Sequence, residues 1–338
     1  MSCADSLAAQ GIDLAAYNTP NLLRDLKSIR HALRIPKVIL FGVSYGAFLG
    51  LQALRDADDW VESAVLVSMP RPQGGTVVRS GQSAQAAIDT FTAQCAAQPA
   101  CAAYGDFAAN LDALLSQLIQ QPLEIALPSP MGSANTFPLT ADMLGTFLQF
   151  AFTDPMHGST FPKAVARALH GETDLWTPYV QSLLGQPAIS PDLIVSLPLH
   201  NSVWCSEELN IGSAAEMEQR AAGSDAIVRR DFLSALRSEY EVCEVWPVPD
   251  ADPALYSPVI TSIPTYLIAG ALDPITRPEF SRQALRHLRR GQLTIVTSAG
   301  HLAAEHNACA PELVSRFMAT PHARVADSCT AAAVAFVP

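Results

Sequence analysis

Residues Lys37–Leu51 read KVILFGVSYGAFLGL, and this stretch decides the fold. Val38-Ile39-Leu40-Phe41 is an apolar run with the length and composition of a buried strand, and Ala47–Leu54 is made of good helix formers. Between them Gly42-Val43-Ser44-Tyr45-Gly46 fits G-x-S-x-G, the nucleophile elbow, in which a strand turns sharply into a helix and holds its serine in strained backbone geometry. A side chain at either glycine is expected to collide with the neighbouring chain. Ser44 is therefore a candidate nucleophile.

A serine hydroxyl is a poor nucleophile at its own pKa, so it needs a base to take its proton and an acid to orient that base. Both occur downstream. Pro264–Gly270 (PTYLIAG) is a second apolar strand, followed by Asp273 in ALDPIT; Leu293–Val296 is a third, ending in TSAGH with His301. The helical segment Pro278–Arg289 lies between them, giving a right-handed parallel strand–helix–strand unit. An aspartate before proline is by itself an ordinary turn former, and a lone Gly-His an ordinary surface loop. Following an elbow, in the order serine, aspartate, histidine, they read as the triad of an α/β-hydrolase, on loops converging at the carboxyl edge of the sheet. The backbone N–H of Tyr45, at the start of a helix, is the expected oxyanion-hole donor, and its side chain is placed to line the pocket.

Four stretches resemble the tripeptidyl-aminopeptidase-like and prolyl-aminopeptidase branch of the α/β-hydrolases: GIDLAAYNTPNLLRDLKSIRHAL (Gly11–Leu33), GVSYGAFLGL (Gly42–Leu51), IPTYLIAGALDPITRP (Ile263–Pro278) and SAGHLAAEHNAC (Ser298–Cys309). The pairing of S-Y-G at the elbow with L-D-P-I-T at the acid is more specific than the elbow motif alone. The resemblance runs along almost the whole chain, weakly between residues 75 and 250. It implies a serine exopeptidase that releases residues from the free amino end of peptides, with Ser44, Asp273 and His301 as the triad.

Members of that family carry two further strands upstream of the region matching Gly11–Leu33, with an H-G-G-P-G-like and a D-Q-R-G-like turn, the first supplying the second oxyanion N–H. Neither turn is found here, and the chain begins about forty residues before Ser44. The expectation is an amino-terminally truncated product, with a catalytically impaired hydrolase as one consequence. Cysteine usage points the same way. There are seven cysteines, and local spacing pairs Cys95 with Cys101, Cys205 with Cys243 and Cys309 with Cys329, leaving Cys3 over. In the resembling family the cysteine before the Y-N-T-like segment is matched by one after the D-Q-R-G turn. Disulfides imply an oxidising compartment, hence a secreted or periplasmic protein, although no signal peptide is visible at Met1. The alternative is seven reduced, buried thiols.

The organisation expected is an α/β fold with a mostly parallel sheet split by a helical cap: residues 1–72 as the first part of the core with the elbow, 73–255 as the cap, and 256–338 as the second part with the acid and histidine loops. Helical patterns run through Ser83–Ala96, Phe107–Gln120, Ala141–Ala151, Phe161–His170 and Ser213–Arg237. At 338 residues and 49% hydrophobic, the chain fills a large core. A net charge of −11 with three lysines argues against nucleic acid as a partner, since no basic patch is visible in the sequence. Nothing reads as a membrane span or a basic amphipathic helix. No cofactor or metal is expected, because no histidine pair has ligand spacing on a helix face.

Specificity would reside in the cap. An aminopeptidase needs acidic groups to hold the substrate ammonium, and Glu207 or Glu208 in the run Trp204–Glu208 (WCSEE), similar to a C-x-E segment in the family's cap, is a candidate; the alternative is a solvated acidic helix cap. Trp176, Trp204 and Trp246 are read either as pocket walls or as simple packing. A carboxylesterase acting on small esters would use the same triad. The partner expected is thus a peptide or small-ester substrate, and oligomeric state is not legible in the sequence.

Overall fold

The computed structural model describes residues 3–56, 60–127, 135–185, 196–305, 309–325 and 333–338. Four strands, β1 (Val38–Val43), β2 (Val61–Val67), β5 (Thr265–Gly270) and β6 (Gly291–Val296), form a sheet in the order β1-β2-β5-β6 with every pairing parallel. β2 and β5 lie in the middle and are apolar on both faces, as a parallel strand with helices above and below must be. Because successive side chains alternate, Ala64 and Leu66 of β2 join one core while Val65 and Val67 join another. The first core packs Ala47 and Leu51 of the helix Tyr45–Ala53, with Leu23 and Leu26 of the helix Thr19–Ala32, against the sheet. The second packs Leu313 and Phe317 of the helix Ala310–Ala319 against the other face. β1 lies at one edge of this sheet, and its Phe41 is 52% exposed.

Between β2 and β5 the chain is mainly helical, as the periodicity predicts, with a core of its own built on Phe91, Phe147, Phe161, Trp176 and Tyr179. Three details differ from the sequence reading. An antiparallel hairpin, β3 (Leu123–Leu127) with β4 (Asn135–Leu139), interrupts the helices; each strand is only five residues, too short for its alternation to stand out. The expected helix Phe161–His170 begins already at Pro155, because Asp154 caps it through the N–H of Met156, and it accommodates Pro162 in its interior. The stretch Ser213–Arg237 is not one helix: Ala214–Arg220 stops, a π-helical turn covers Val228–Phe232, and a helix Leu233–Val245 follows. Gly145 lets Asp231 of that turn approach, since a Cβ there would lie 2.6 Å from its Oδ2.

Cys95–Cys101 and Cys205–Cys243 are disulfides, and Cys3 is free and exposed. The expected Cys309–Cys329 pair lies outside the described residues. Among the described residues no helix is long and apolar enough to cross a membrane.

Candidate active site

Ser44 lies between β1 and the helix Tyr45–Ala53 with φ 54° and ψ −122°, a backbone state that L-residues adopt only when the surroundings impose it. The constraint comes from Gly42. A Cβ there would lie 2.2 Å from the carbonyl oxygen of Gly46, so only glycine lets strand and helix meet. Gly46 itself differs from expectation: a Cβ at that position meets nothing within 4 Å, and the reading that both glycines avoid a collision is corrected to Gly42 alone. Tyr45 opens the helix, so its N–H has no acceptor within that helix and lies at its positive end.

The turn brings Ser44 Oγ to 3.0 Å from Nε2 of His301, and His301 Nδ1 lies 3.0 Å from Asp273 Oδ2 and 3.2 Å from its Oδ1. Asp273 follows β5 and His301 follows β6, both at the carboxyl ends of their strands. Asp273 is 1% exposed, yet each of its oxygens is satisfied: Oδ1 accepts from the N–H groups of Ile275 and Thr276, both at 2.8 Å, and Oδ2 from the Thr276 hydroxyl at 2.5 Å as well as facing His301. Burial pushes this carboxyl up, but the hydrogen bond and charge of His301, together with Thr276, outweigh it and hold Asp273 below the usual carboxylate range. It is a buried anion aimed at one imidazole nitrogen.

Two residues that sequence reading did not single out fix the histidine. Thr276, whose hydroxyl lies 3.1 Å from His301 Nδ1, was visible in principle as the threonine three residues after the aspartate, the spacing of a side-chain-capped turn. Ser68 has φ 50° and donates its hydroxyl to the carbonyl of His301 at 3.0 Å; nothing local to its sequence marks it, because the contact spans 233 residues. The histidine loop is also pinned from the helical layer: a Cβ on Gly300 would sit 2.4 Å from the Phe152 carbonyl oxygen.

Ser44 and Tyr45 share a pocket with Thr276, Trp204, Glu207 and Glu208. The helix Leu197–Glu207 delivers the two glutamates, and each meets the amino end of another helical segment. Glu207 accepts from the N–H and hydroxyl of Thr19, both at 2.6 Å, at the start of the helix Thr19–Ala32. Glu208 accepts from the N–H of Thr76 at 2.8 Å, just before the turn Val77–Arg79. A helix amino end favours a carboxylate. Neither glutamate is a solvated cap: Glu207 is 2% exposed, and Glu208, which ends its helix with its N–H bonded to the Trp204 carbonyl, is largely enclosed. Burial raises both carboxyls, Glu208 to about 7, against the opposing hydrogen bonds. The Thr19 hydroxyl also lies 2.7 Å from that of Tyr45, whose phenol is raised by burial and by Glu207.

Of the three tryptophans, Trp204 lines this pocket and stacks on His200. Trp176 is fully buried in the helical core with its Nε1 bonded to Ala164, and Trp246 packs against Ala4 and Leu14 and donates to Ser202, so both are packing residues. A larger open cleft of about 1310 Å³ runs along β6 and holds none of Ser44, Asp273 and His301.

Residues 230–329 match the family model described as TAP-like protein (Abhydrolase_4), and that segment contains both Asp273 and His301. The carboxyl-terminal part of the chain is thus similar to TAP-like proteins, and the chain has the fold of the α/β-hydrolases. No match exists among curated proteins. Solved structures similar to this chain include an esterase (EaEST) from Exiguobacterium antarcticum, at 14% identity over 90% of this chain and 76% of that one with a TM-score of 0.37. Another is the putative non-heme bromoperoxidase BpoC from Mycobacterium tuberculosis H37Rv, at 15% identity over 90% and 75% with a TM-score of 0.39. A mutant of an epoxide hydrolase from Bacillus megaterium is 12% identical over 92% and 78% with a TM-score of 0.35. Similarity at that level carries nothing about the activity of this chain.

Proposed function

We propose that the protein is a serine hydrolase working through an acyl-enzyme, and that its substrates are peptides from whose free amino end it releases residues. The observation that carries the first part is the Ser44 Oγ–His301 Nε2 contact at 3.0 Å, with Asp273 behind the imidazole. As Ser44 Oγ bonds to the substrate carbonyl carbon, its proton passes to His301 Nε2, and the imidazolium is stabilised by the Asp273 carboxylate. The carbonyl oxygen becomes an oxyanion that accepts a hydrogen bond from the Tyr45 N–H; one such donor typically contributes about 10²- to 10³-fold in rate. The C–N bond then breaks, the leaving amine takes the proton from Nε2, and an ester on Ser44 remains. Water attacks that ester with His301 again as base, releasing the acid and restoring Ser44.

The amino-end preference rests on Glu207 and Glu208 in the same pocket. Each has lone pairs beyond those taken by Thr19 and Thr76, and a carboxylate removed from water attracts an ammonium more strongly than an exposed one. A carboxylesterase is the second reading, supported by the helix amino ends already facing both glutamates and by the raised carboxyl of Glu208. The two disulfides support an oxidising compartment.

The test is fluorophosphonate labelling of the chain and of Ser44→Ala, followed by turnover of peptide amides with free and acetylated amino ends. Labelling lost in Ser44→Ala with preference for the free amine is the expected result. Equal turnover of both would move the assignment to an esterase, and undiminished labelling of the variant would remove Ser44 from the mechanism.

A further inference from the structure

The walls of the Ser44 pocket come from separate stretches of chain, and each is held in place. Val203 and Trp204 sit on the helix Leu197–Glu207, which the Cys205–Cys243 disulfide ties to the helix Leu233–Val245, and Trp204 stacks on His200 with ring centres 5.1 Å apart. Phe48 belongs to the helix Tyr45–Ala53 and is 4% exposed. Pro70 lies just beyond β2, and Ile275 is on the loop whose N–H groups bind Asp273. These side chains are apolar, and the pocket they enclose with Ser44 is only about 40 Å³.

The polar part of the pocket is equally fixed. Glu207 accepts from the N–H and hydroxyl of Thr19, whose hydroxyl lies 2.7 Å from that of Tyr45, and Glu208 accepts from the N–H of Thr76. The Tyr256 hydroxyl donates to the Glu207 carbonyl at 2.7 Å. Glu207 also lines a second cavity, of about 430 Å³, with Asn18 and Gln52, and Ser44 is not on its lining. A substrate that reached that space past Glu207 would strand the buried donors of Thr19. A water takes about 10 to 15 Å³ of such volume, so the Ser44 pocket has room for roughly three. An alanyl group beyond its carbonyl is of that size: an ammonium nitrogen, an α-carbon and a methyl. A phenylalanyl ring exceeds it, as do two further residues, which add about 7 Å of extended chain. Packed walls yield to excess volume only at a cost. The ammonium of a single residue also stays beside the carbonyl that Ser44 attacks, inside the pocket that holds both glutamates.

We infer that the Ser44 pocket takes the acyl part of one residue with a small apolar side chain, so that the chain releases single residues of about alanine's size and excludes bulky and tripeptidyl acyl groups. This rests on the amino-end reading and narrows its substrate class to peptides that begin with a small apolar residue.

The test compares kcat/KM for the 4-nitroanilides of alanine and phenylalanine and follows the products of Ala-Ala-Ala 4-nitroanilide by mass spectrometry. Alanine is expected to be preferred by about tenfold to hundredfold, and the tripeptide substrate to give free alanine first and nitroaniline after a lag. Equal rates on the two anilides, or intact trialanine as the first product, would overturn the size limit. Phe48→Ala and Ile275→Ala enlarge the pocket, and each should raise the phenylalanine-to-alanine ratio about tenfold. Ile275, at 42% exposed, carries this arm if the Phe48 variant does not fold; a ratio unchanged in the folded variants would overturn the assignment of the walls. Esters without an amine separate the two readings. A preference of about tenfold for 4-nitrophenyl acetate over 4-nitrophenyl hexanoate, with neither anilide cleaved, would uphold the size limit while removing the amino-end reading, and a preference for the hexanoate would overturn the size limit. In a chain that turns over none of these, calorimetry on Ser44→Ala decides: tighter binding of alaninamide than of phenylalaninamide upholds the size limit, and the reverse overturns it.

Discussion

Asp273→Asn isolates what the buried anion does, because the structure dictates how the amide must sit. Oδ1 of Asp273 accepts two backbone N–H groups, from Ile275 and Thr276, and these donors cannot reorient. The asparagine oxygen has to occupy that side, which leaves Nδ2 facing Thr276 Oγ1 and His301 Nδ1 where Oδ2 stood. An N–H donor there makes Nδ1 an acceptor and puts the imidazole proton on Nε2, the atom 3.0 Å from Ser44 Oγ that must be free to take the serine proton. The variant therefore loses the general base through the wrong tautomer, together with the charge that stabilises the imidazolium. The expected loss in kcat is about 10³- to 10⁴-fold, or about 4 to 5.5 kcal/mol of transition-state stabilisation. The assay is single-turnover phosphonylation by a fluorophosphonate, with loss of fluoride, and acylation by an activated ester, beside circular dichroism to confirm folding. Since the native carboxyl is held below its unfolded value, it contributes stability that is present above the unfolded pKa and lost as pH falls through the folded one; the asparagine variant should lack that part of the acid-unfolding transition. A folded Asp273→Asn chain within tenfold of the original kcat would refute the reasoning.

Gly42→Ala should fail to fold or lose more than about 3 kcal/mol in urea unfolding, because its Cβ meets the backbone of Gly46 rather than a movable side chain; Gly46→Ala should be neutral or more stable by up to about 1 kcal/mol from helix propensity. Similar stabilities for the two variants would contradict this account of the elbow. Thr276→Val removes the hydroxyl shared by Asp273 and His301 and should lower kcat about tenfold, with the pH–rate profile displaced; an unchanged profile would make Thr276 a packing residue. If Glu208, with its carboxyl at about 7, helps to hold the substrate ammonium, KM for free-amine peptides should fall as pH rises through about 7 and lose that dependence in Glu208→Gln, whereas a pH-independent KM would exclude it. The raised value has the opposite sign for stability: the native state holds the proton longer, so this group's contribution declines as pH rises from the unfolded carboxylate value toward 7.

What the sequence determined was whatever depends on local pattern. The apolar run before Ser44, the glycine at position 42 and the spacing of the strands around Asp273 and His301 define a parallel α/β core and its carboxyl-edge loops, because a strand buried on both faces and a sharp strand-to-helix turn each need particular residues in succession. The near pairs Cys95–Cys101 and Cys205–Cys243 were legible for the same reason. Tertiary structure alone decided the rest. Ser68 holds the His301 carbonyl across 233 residues, and Glu207 reaches Thr19 across 188. Local propensity carries no information about such contacts. They form when the sheet fixes the loops that carry them, and it is there, out of water, that charges unremarkable in the sequence acquire shifted pKa values.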